Sequence, residues 1–476
     1  MSLDDKNLHD FQTMGSEILT HIDQMKDLKN AKNLTQEMGI NLINNSIRPS
    51  SELYERERKH NKKLWDSIYY NYKLNIGSKG QKALSNIVDR TLNNKKNPLR
   101  NRISCSSLRT SIIDNFILMA IVQGNELTKS LAMKIMDKSI KNVLNNITTI
   151  LYFFPCMITE QDNDDEFKIG PIKFITQNRF WKENQYLINK SGKIFQENLS
   201  EYFKKFPWIA EVTNDQIEDK RAEELSRLAV QYALNVLMIY TPYYYREKLR
   251  IGGDTGNSPT CSLKTRDEEP LITVAGSTNQ WHLHEKKYSE EVISVCPNTI
   301  NLTGQLITSF LSGNDIPLIY QRLLNGIWWF GDAVTEKSSS ARLMKYVNAI
   351  EAIVNTNTDK SDKITKQFIN RTLSILSGSL DKKYNDSTLL SKKLNKLYSE
   401  RSNLVHGKKP PTDTEIEKEI YFAHDIASYV IHNAFYWSIF LAEKNIKMSL
   451  KSIGREFDQS IDEFSARLIP ENNQNQ

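Results

Sequence analysis

The sequence predicts a mainly α-helical chain with a smaller α+β N-terminal portion. Three observations carry this. Apolar residues recur at helical spacing through residues 1–145 and 316–447, as at Leu394, Leu397 and Leu404, positions that share one helix face. β-branched and aromatic runs concentrate between residues 146 and 215, a composition that favours strands. Helix stop signals then punctuate the C-terminal part at Gly407 and Pro410-Pro411, residues that close a helix or cannot continue one. The chain accordingly divides into 1–145, mostly helical; 146–315, an α+β region for sensing or positioning; 316–447, a helical domain; and 448–476, an extension with a disordered tail.

Within residues 1–145, the pairs Ile117/Ile121 and Leu127/Leu131 keep the i, i+4 spacing of a helix face. Polar breaks fall near 45–51 and 93–101. The runs 150–154 and 167–175 flank the acidic stretch Asp162-Asn163-Asp164-Asp165-Glu166, which predicts a hairpin or two strands of a small sheet. Residues 216–240 return to helix, 271–303 hold short strand-like runs, and 471–476 are polar. Thr412 with Glu415 reads as a capping box opening a helix to roughly residue 445.

The stripe of Leu394, Leu397 and Leu404 has Arg401 in its middle. A guanidinium there keeps its charge, so its burial demands hydrogen bonds and a counter-charge. His406, at the last turn of the same helix, is the one side-chain type here, imidazole, whose unperturbed chemistry allows proton transfer near neutral pH. Glu351 shares a stripe with Met344, Val347 and Val354, which makes it the candidate ion-pair partner of Arg401, in a structural or a catalytic role. From Asp381 to Pro410 eight basic residues face three acidic ones, a local +5 in a chain whose total is +6. Lys392, Lys393, Lys396, Lys408 and Lys409 are therefore candidate phosphate contacts, or a solvated helix face.

Arg401-Ser402-Asn403-Leu404-Val405-His406-Gly407 resembles the Arg, four to six residues, His signature of the HEPN (higher eukaryotes and prokaryotes nucleotide-binding) superfamily, and its Val-His-Gly ending is similar to the Apea-like branch. Residues 322–333 and 342–353 look like that branch's first two helices, so the resemblance covers about 316–447. It implies a C-terminal four-helix up-and-down bundle that dimerises and, in active members, cuts RNA without metal or cofactor, leaving 2′,3′-cyclic phosphate and 5′-hydroxyl ends. It also implies that Arg401 and His406 form the paired site; Glu351, placed by its own helix stripe and not by the resemblance, is the candidate to complete it. The position after the arginine, often an amide or an acid in active members, is here Ser402. Asn403 would point elsewhere on the helix. The context implied is cytoplasmic bacterial antiviral defence, abortive infection or a toxin system. The partners implied are RNA, a second copy or higher even oligomer, and a phage-derived or protein trigger acting through the N-terminal portion. A non-catalytic HEPN scaffold and a nucleotide- or RNA-binding sensor are the competing readings.

Composition bounds the setting. With 476 residues, 39% hydrophobic and a mean hydropathy of −0.52, the chain has room for two or three domains. The four cysteines, Cys105, Cys156, Cys261 and Cys296, lack paired spacing and read as reduced cytosolic thiols. No apolar stretch approaches membrane-spanning length and no leader is evident, so the expectation is a cytoplasmic protein without a membrane partner. His282 and His284 alternate on a strand without convincing further ligands, so no metal site is assigned. Gly252-Gly253-Asp254-Thr255-Gly256 lacks the Gly-Lys-Ser/Thr of a phosphate loop. Tyr240, Tyr243, Tyr244 and Tyr245 with Arg246, Lys248 and Arg250 could stack bases or pack a helix end. His424 and His432 read as structural, and Trp328, Trp329, Phe330, Phe435, Tyr436 and Trp437 as an aromatic core or dimer seam.

Overall fold

The structure, a computed structural model, describes residues 6, 8–16, 46–47, 56, 59, 74–75, 78–93, 99, 102–122, 128–145, 147, 149–161, 164–190, 193–214, 217–252, 260–266, 269–275, 282–283, 286–312, 314, 316–356, 363–377, 386–412, 414–449 and 452–468. The chain forms two compact units, residues 1–150 with 214–225, and 151–213 with 226–476. It is mainly helical with one small sheet and minor two-stranded ladders.

In the first unit, Ser46–Ile47 (β1) pairs antiparallel with Leu74–Asn75 (β2). Helices α1 (Ser78–Leu92), α2 (Cys105–Phe116) and α3 (Lys129–Asn145) bury Leu84, Ile87, Leu108, Ile112, Phe116, Ile135 and their neighbours in one core. The expected α-helical pair Ile117/Ile121 falls in a π-helical segment, Ile117–Val122, and Leu127 lies outside the described residues. Ser104 caps α2 by accepting from Ser107 N, an N-cap role that hydroxyl side chains fill well.

In the second unit, β3 (Ile150–Met157), β4 (Glu160–Gln161), β5 (Glu166–Ile169), β6 (Ile172–Thr176), β7 (Trp208–Asn214) and β8 (Arg250–Ile251) supply most of the sheet residues. The five-stranded sheet has the order β5-β6-β7-β3-β8, so the two β-rich runs are strands of one sheet but do not pair with each other. The hairpin lies inside the second run, because Gly170 takes φ +58° between β5 and β6. Gly170 also lies so near Gly304 that a side chain at either position would collide with backbone. Asp162 and Asn163 of the acidic stretch lie outside the described residues. Helices α4 (Gln177–Lys190), α5 (Lys193–Phe203), α6 (Asp219–Tyr240, of which Ser226 onward lies in this unit) and α7 (Tyr243–Arg246) are followed by the antiparallel ladder of β9 (Thr260–Arg266) with β10 (Glu269–Ala275). The short β11 (His282–Leu283) pairs parallel with β4.

The C-terminal helices are α8 (Tyr288–Glu291), α9 (Pro297–Leu311), α10 (Leu318–Thr335), α11 (Ser339–Val354), α12 (Ile364–Leu376), α13 (Ser387–Val405), α14 (Glu415–Glu443) and α15 (Ile453–Leu468). Residues 297–303, expected as strand-like, are helical: Pro297 opens α9, a position where its missing N–H costs nothing. The long α14 packs against α9 through α13 and against α15. Gly326 of α10 sits directly against Ile353 of α11. Phe330, Phe435 and Trp437 are buried, whereas Trp328 and Tyr436 are exposed. Residues 453–468, read from sequence as an extension, form an amphipathic helix packed on this array. There Phe457 meets Trp437 at 4.5 Å between ring centroids, and Asp458 takes both Nε and Nη2 of the buried Arg371. Residues 469–476 lie outside the described residues, and among the described residues no helix is long and apolar enough to cross a membrane.

Candidate functional site

Helix α13 is fixed at both ends by its sequence. Asp386 accepts from Thr388 N and Leu389 N at 2.9 Å. At the other end Gly407 adopts φ +67°, its N–H reaches Leu404 O and the Lys408 N–H reaches Asn403 O, the paired bonds of a Schellman ending. His406 is the C-cap residue. The expected capping box does not form at Thr412. Helix α14 starts at Glu415, and its N-cap Thr414 makes no side-chain cap bond; Asp413 lies outside the described residues.

Leu390, Leu394 and Leu397 are buried, and Leu404 is half-buried. Arg401, on the same face, donates through Nη2 to Glu351 Oε2 of α11 at 3.1 Å and, at 3.5 Å, to Asn348 Oδ1. Sequence reasoning missed two further members. Tyr398 Oη and Asn355 Nδ2 donate to Glu351 Oε1 at 3.0 and 3.1 Å. The signal was available: Tyr398 precedes Arg401 by three positions and Asn355 follows Glu351 by four, both spacings that share a helix face. Burial and the neighbouring Glu351 charge push the Tyr398 phenol up to about 12, so it stays a neutral donor to the carboxylate. The pair is only partly shielded, with side-chain exposures of 25% for Arg401 and 17% for Glu351. Arg401 Nε is buried with no hydrogen-bond partner among the described residues.

The other sequence-selected residues divide. His406 is exposed, and its ring makes no hydrogen bond among the described residues. It is not joined to the Arg401–Glu351 pair. Five positions along a helix turn it by about 140°, which aims the two side chains apart. Ser402 is half-buried. Lys396 pairs with Glu419 at 2.5 Å and Lys409 with Glu400 at 2.6 Å. Lys393 lies over the Phe422 ring at 5.6 Å. Lys392 and Lys408 are exposed. Lys382 and Lys383 lie outside the described residues, as do Trp281, His284 and 253–256. Among the described residues no group of three His, Cys, Asp or Glu side chains could hold a metal ion.

The tyrosine cluster packs a helix end. Tyr243 meets Tyr421 and His424 at 5.4 and 4.8 Å between centroids, while Tyr244 is exposed. Arg246 turns inward, donating from Nε to Thr241 O, from Nη2 to Ile239 O and from Nη1 to His424 Nε2. His424 is buried, and burial pulls its pKa down, opposed by Asp425 and reinforced by Arg246.

No family model, curated protein or solved structure matches this chain.

Proposed function

We propose that this chain is a metal-independent endoribonuclease of HEPN type that works as a dimer in the cytoplasm, in a bacterial antiviral defence or toxin system. The observation that supports it is the end of α13. An arginine with one buried N–H unpartnered among the described residues stands just over one turn before an exposed histidine on the same short motif.

The chemistry follows from the residue types. His406 accepts the RNA 2′-hydroxyl proton as the 2′ oxygen attacks phosphorus, and Arg401 stabilises the charge that builds on the phosphorane. The bond to the 5′ oxygen breaks, that oxygen takes a proton from an imidazolium, and the products are a 2′,3′-cyclic phosphate and a 5′-hydroxyl. Because Arg401 and His406 diverge around the helix, one chain does not aim both at one phosphate. A twofold axis that sets Arg401 of one copy beside the partner subunit's His406 solves this with a self-complementary surface. Glu351 holds Arg401 in place, and Ser402 is the remaining polar candidate beside it. The exposed Lys392 and Lys408 supply phosphate contacts.

A second reading has its own support. Arg401, Asn348, Glu351, Tyr398 and Asn355 form one hydrogen-bonded set, which a non-catalytic scaffold would also need. Cleavage of labelled RNA in EDTA by the full chain and by His406→Ala separates the two. Cleavage by the parent and loss in the variant, with unchanged folding, carries the nuclease reading. No cleavage by a folded dimer leaves the scaffold.

A further inference from the structure

We propose that the cavity between α6, α7 and α14 is a binding site for a small phosphate, free or as a nucleoside monophosphate. The cavity encloses about 260 Å³ and is lined by Tyr240, Arg246, His424, Asp425, Ser428 and His432 among others. This site does not depend on the ribonuclease reading.

The argument starts from Arg246. Its three observed acceptors, two backbone carbonyls and the His424 ring, are all neutral. No carboxylate lies within ion-pair distance of it among the described residues. Burial lowers its pKa, yet a guanidinium stays charged throughout the physiological range. Five N–H donors meet three acceptors, so two N–H groups and a full charge remain in a half-buried wall. That is the arrangement which a planar fork offers to phosphate oxygens.

The histidines set the rest of the polarity. Because His424 Nε2 accepts from Arg246, its proton sits on Nδ1, facing Asp425 Oδ1 at 3.3 Å. Tyr240 Oη donates to Thr299 Oγ1 at 2.8 Å, so the His432 Nδ1 that meets it at 3.0 Å is the donor. His432 Nε2 is left with no partner among the described residues, ready to take a proton beside an anion. Ser428 adds a half-buried hydroxyl. Asp425 is the opposing charge, placed at the rim with its side chain 37% exposed. It weakens a bare phosphate and offers an acceptor to an amino group on a larger ligand. A cavity at the small end of ligand sites excludes an oligonucleotide.

The test is calorimetric titration of the full chain with inorganic phosphate and with CMP. Saturable binding of at least one is expected, and tighter binding of CMP identifies the nucleoside monophosphate, whereas equal affinity identifies free phosphate. Ser428→Phe should fill the cavity and weaken binding tenfold or more. Arg246→Lys should weaken it similarly, and Asp425→Asn should tighten it threefold or more. An opposite response to Asp425→Asn is not what general damage to the fold would give. Absence of binding at millimolar concentration, or unchanged affinity in Ser428→Phe, overturns the site.

Discussion

Arg401 Nη2 and Glu351 Oε2 meet at 3.1 Å across α13 and α11, fifty residues apart in sequence. The contact places the C-terminal end of α13 and, through the same carboxylate, ties Tyr398 and Asn355 to it.

Truncating one member should cost more than the pair itself is worth. Glu351→Ala leaves the Tyr398 hydroxyl and an arginine charge without their acceptor, at about 1–3 kcal/mol. Chemical denaturation of Glu351→Ala, Arg401→Ala and the double variant should show the double less destabilised than the sum. Strict additivity would mean that the two side chains do not interact in solution.

His406→Ala should separate chemistry from stability. An exposed side chain with no hydrogen bond among the described residues can be removed within about 0.5 kcal/mol, while loss of a proton-transfer group lowers turnover about 10²–10⁴-fold. Melting temperature and RNA cleavage measured on the same preparation check this. A variant that unfolds, or that cleaves as fast as the parent, counts against the assigned role.

Gly407→Ala tests the helix ending without touching a neighbouring side chain. An added Cβ meets nothing within 4 Å, so the whole effect is the left-handed backbone at φ +67°, about 1–2 kcal/mol. Denaturation midpoints should fall accordingly, and Gly407→Asn should fall less, since asparagine tolerates this region better.

The lysines should not contribute equally to RNA binding. Lys396 and Lys409 stand in ion pairs with Glu419 and Glu400, whereas Lys392 and Lys408 are exposed. Lys392→Glu/Lys408→Glu should weaken binding to all RNA sequences and flatten the salt dependence by roughly 0.7 in slope for each phosphate left unneutralised. Reversing Lys396 should act mainly by repelling Glu419. Salt titrations of RNA affinity for the three proteins decide, and coincident curves would assign this surface to solvation alone.

Stability should decline in mild acid because of two histidines, His424 buried and His432 half-buried. Burial lowers the pKa of both His424 and His432 below the ordinary value of 6.5, so the unfolded chain binds more protons than the folded one. Their contribution is complete above the unfolded pKa and is lost as pH falls through the folded values. His424 faces Arg246, Asp425, Tyr243, Phe330 and Tyr346, and His432 faces Tyr240 and Tyr436. Melting curves from pH 7.5 to 5 should show the decline, and His432→Gln should shrink it. An unchanged pH profile in that variant would assign the acid sensitivity elsewhere.

How much was legible depended on whether the signal was local. Gly407 closed α13 as its position implied, because a helix ending is a matter of a few neighbouring dihedrals. The capping box at Thr412 did not form: α14 begins at Glu415, and its N-cap Thr414 makes no side-chain cap bond. Phe167 to Ile175 read as one strand, yet Gly170 could turn it back on itself only because Gly304 leaves room for that turn.

The sequence by itself determined that Arg401 sat on an apolar stripe and therefore needed an acceptor, since a buried guanidinium cannot discard its charge. It also named Glu351, from the same logic applied to a second helix. Only tertiary structure decided that Tyr398 and Asn355 share that carboxylate, that Lys396 and Lys409 are tied to Glu419 and Glu400, and that Arg246 meets His424, 178 residues away. Periodicity reports which face a side chain leaves its helix by; which atoms wait on the other side is set by helices that meet in space without being neighbours in the chain.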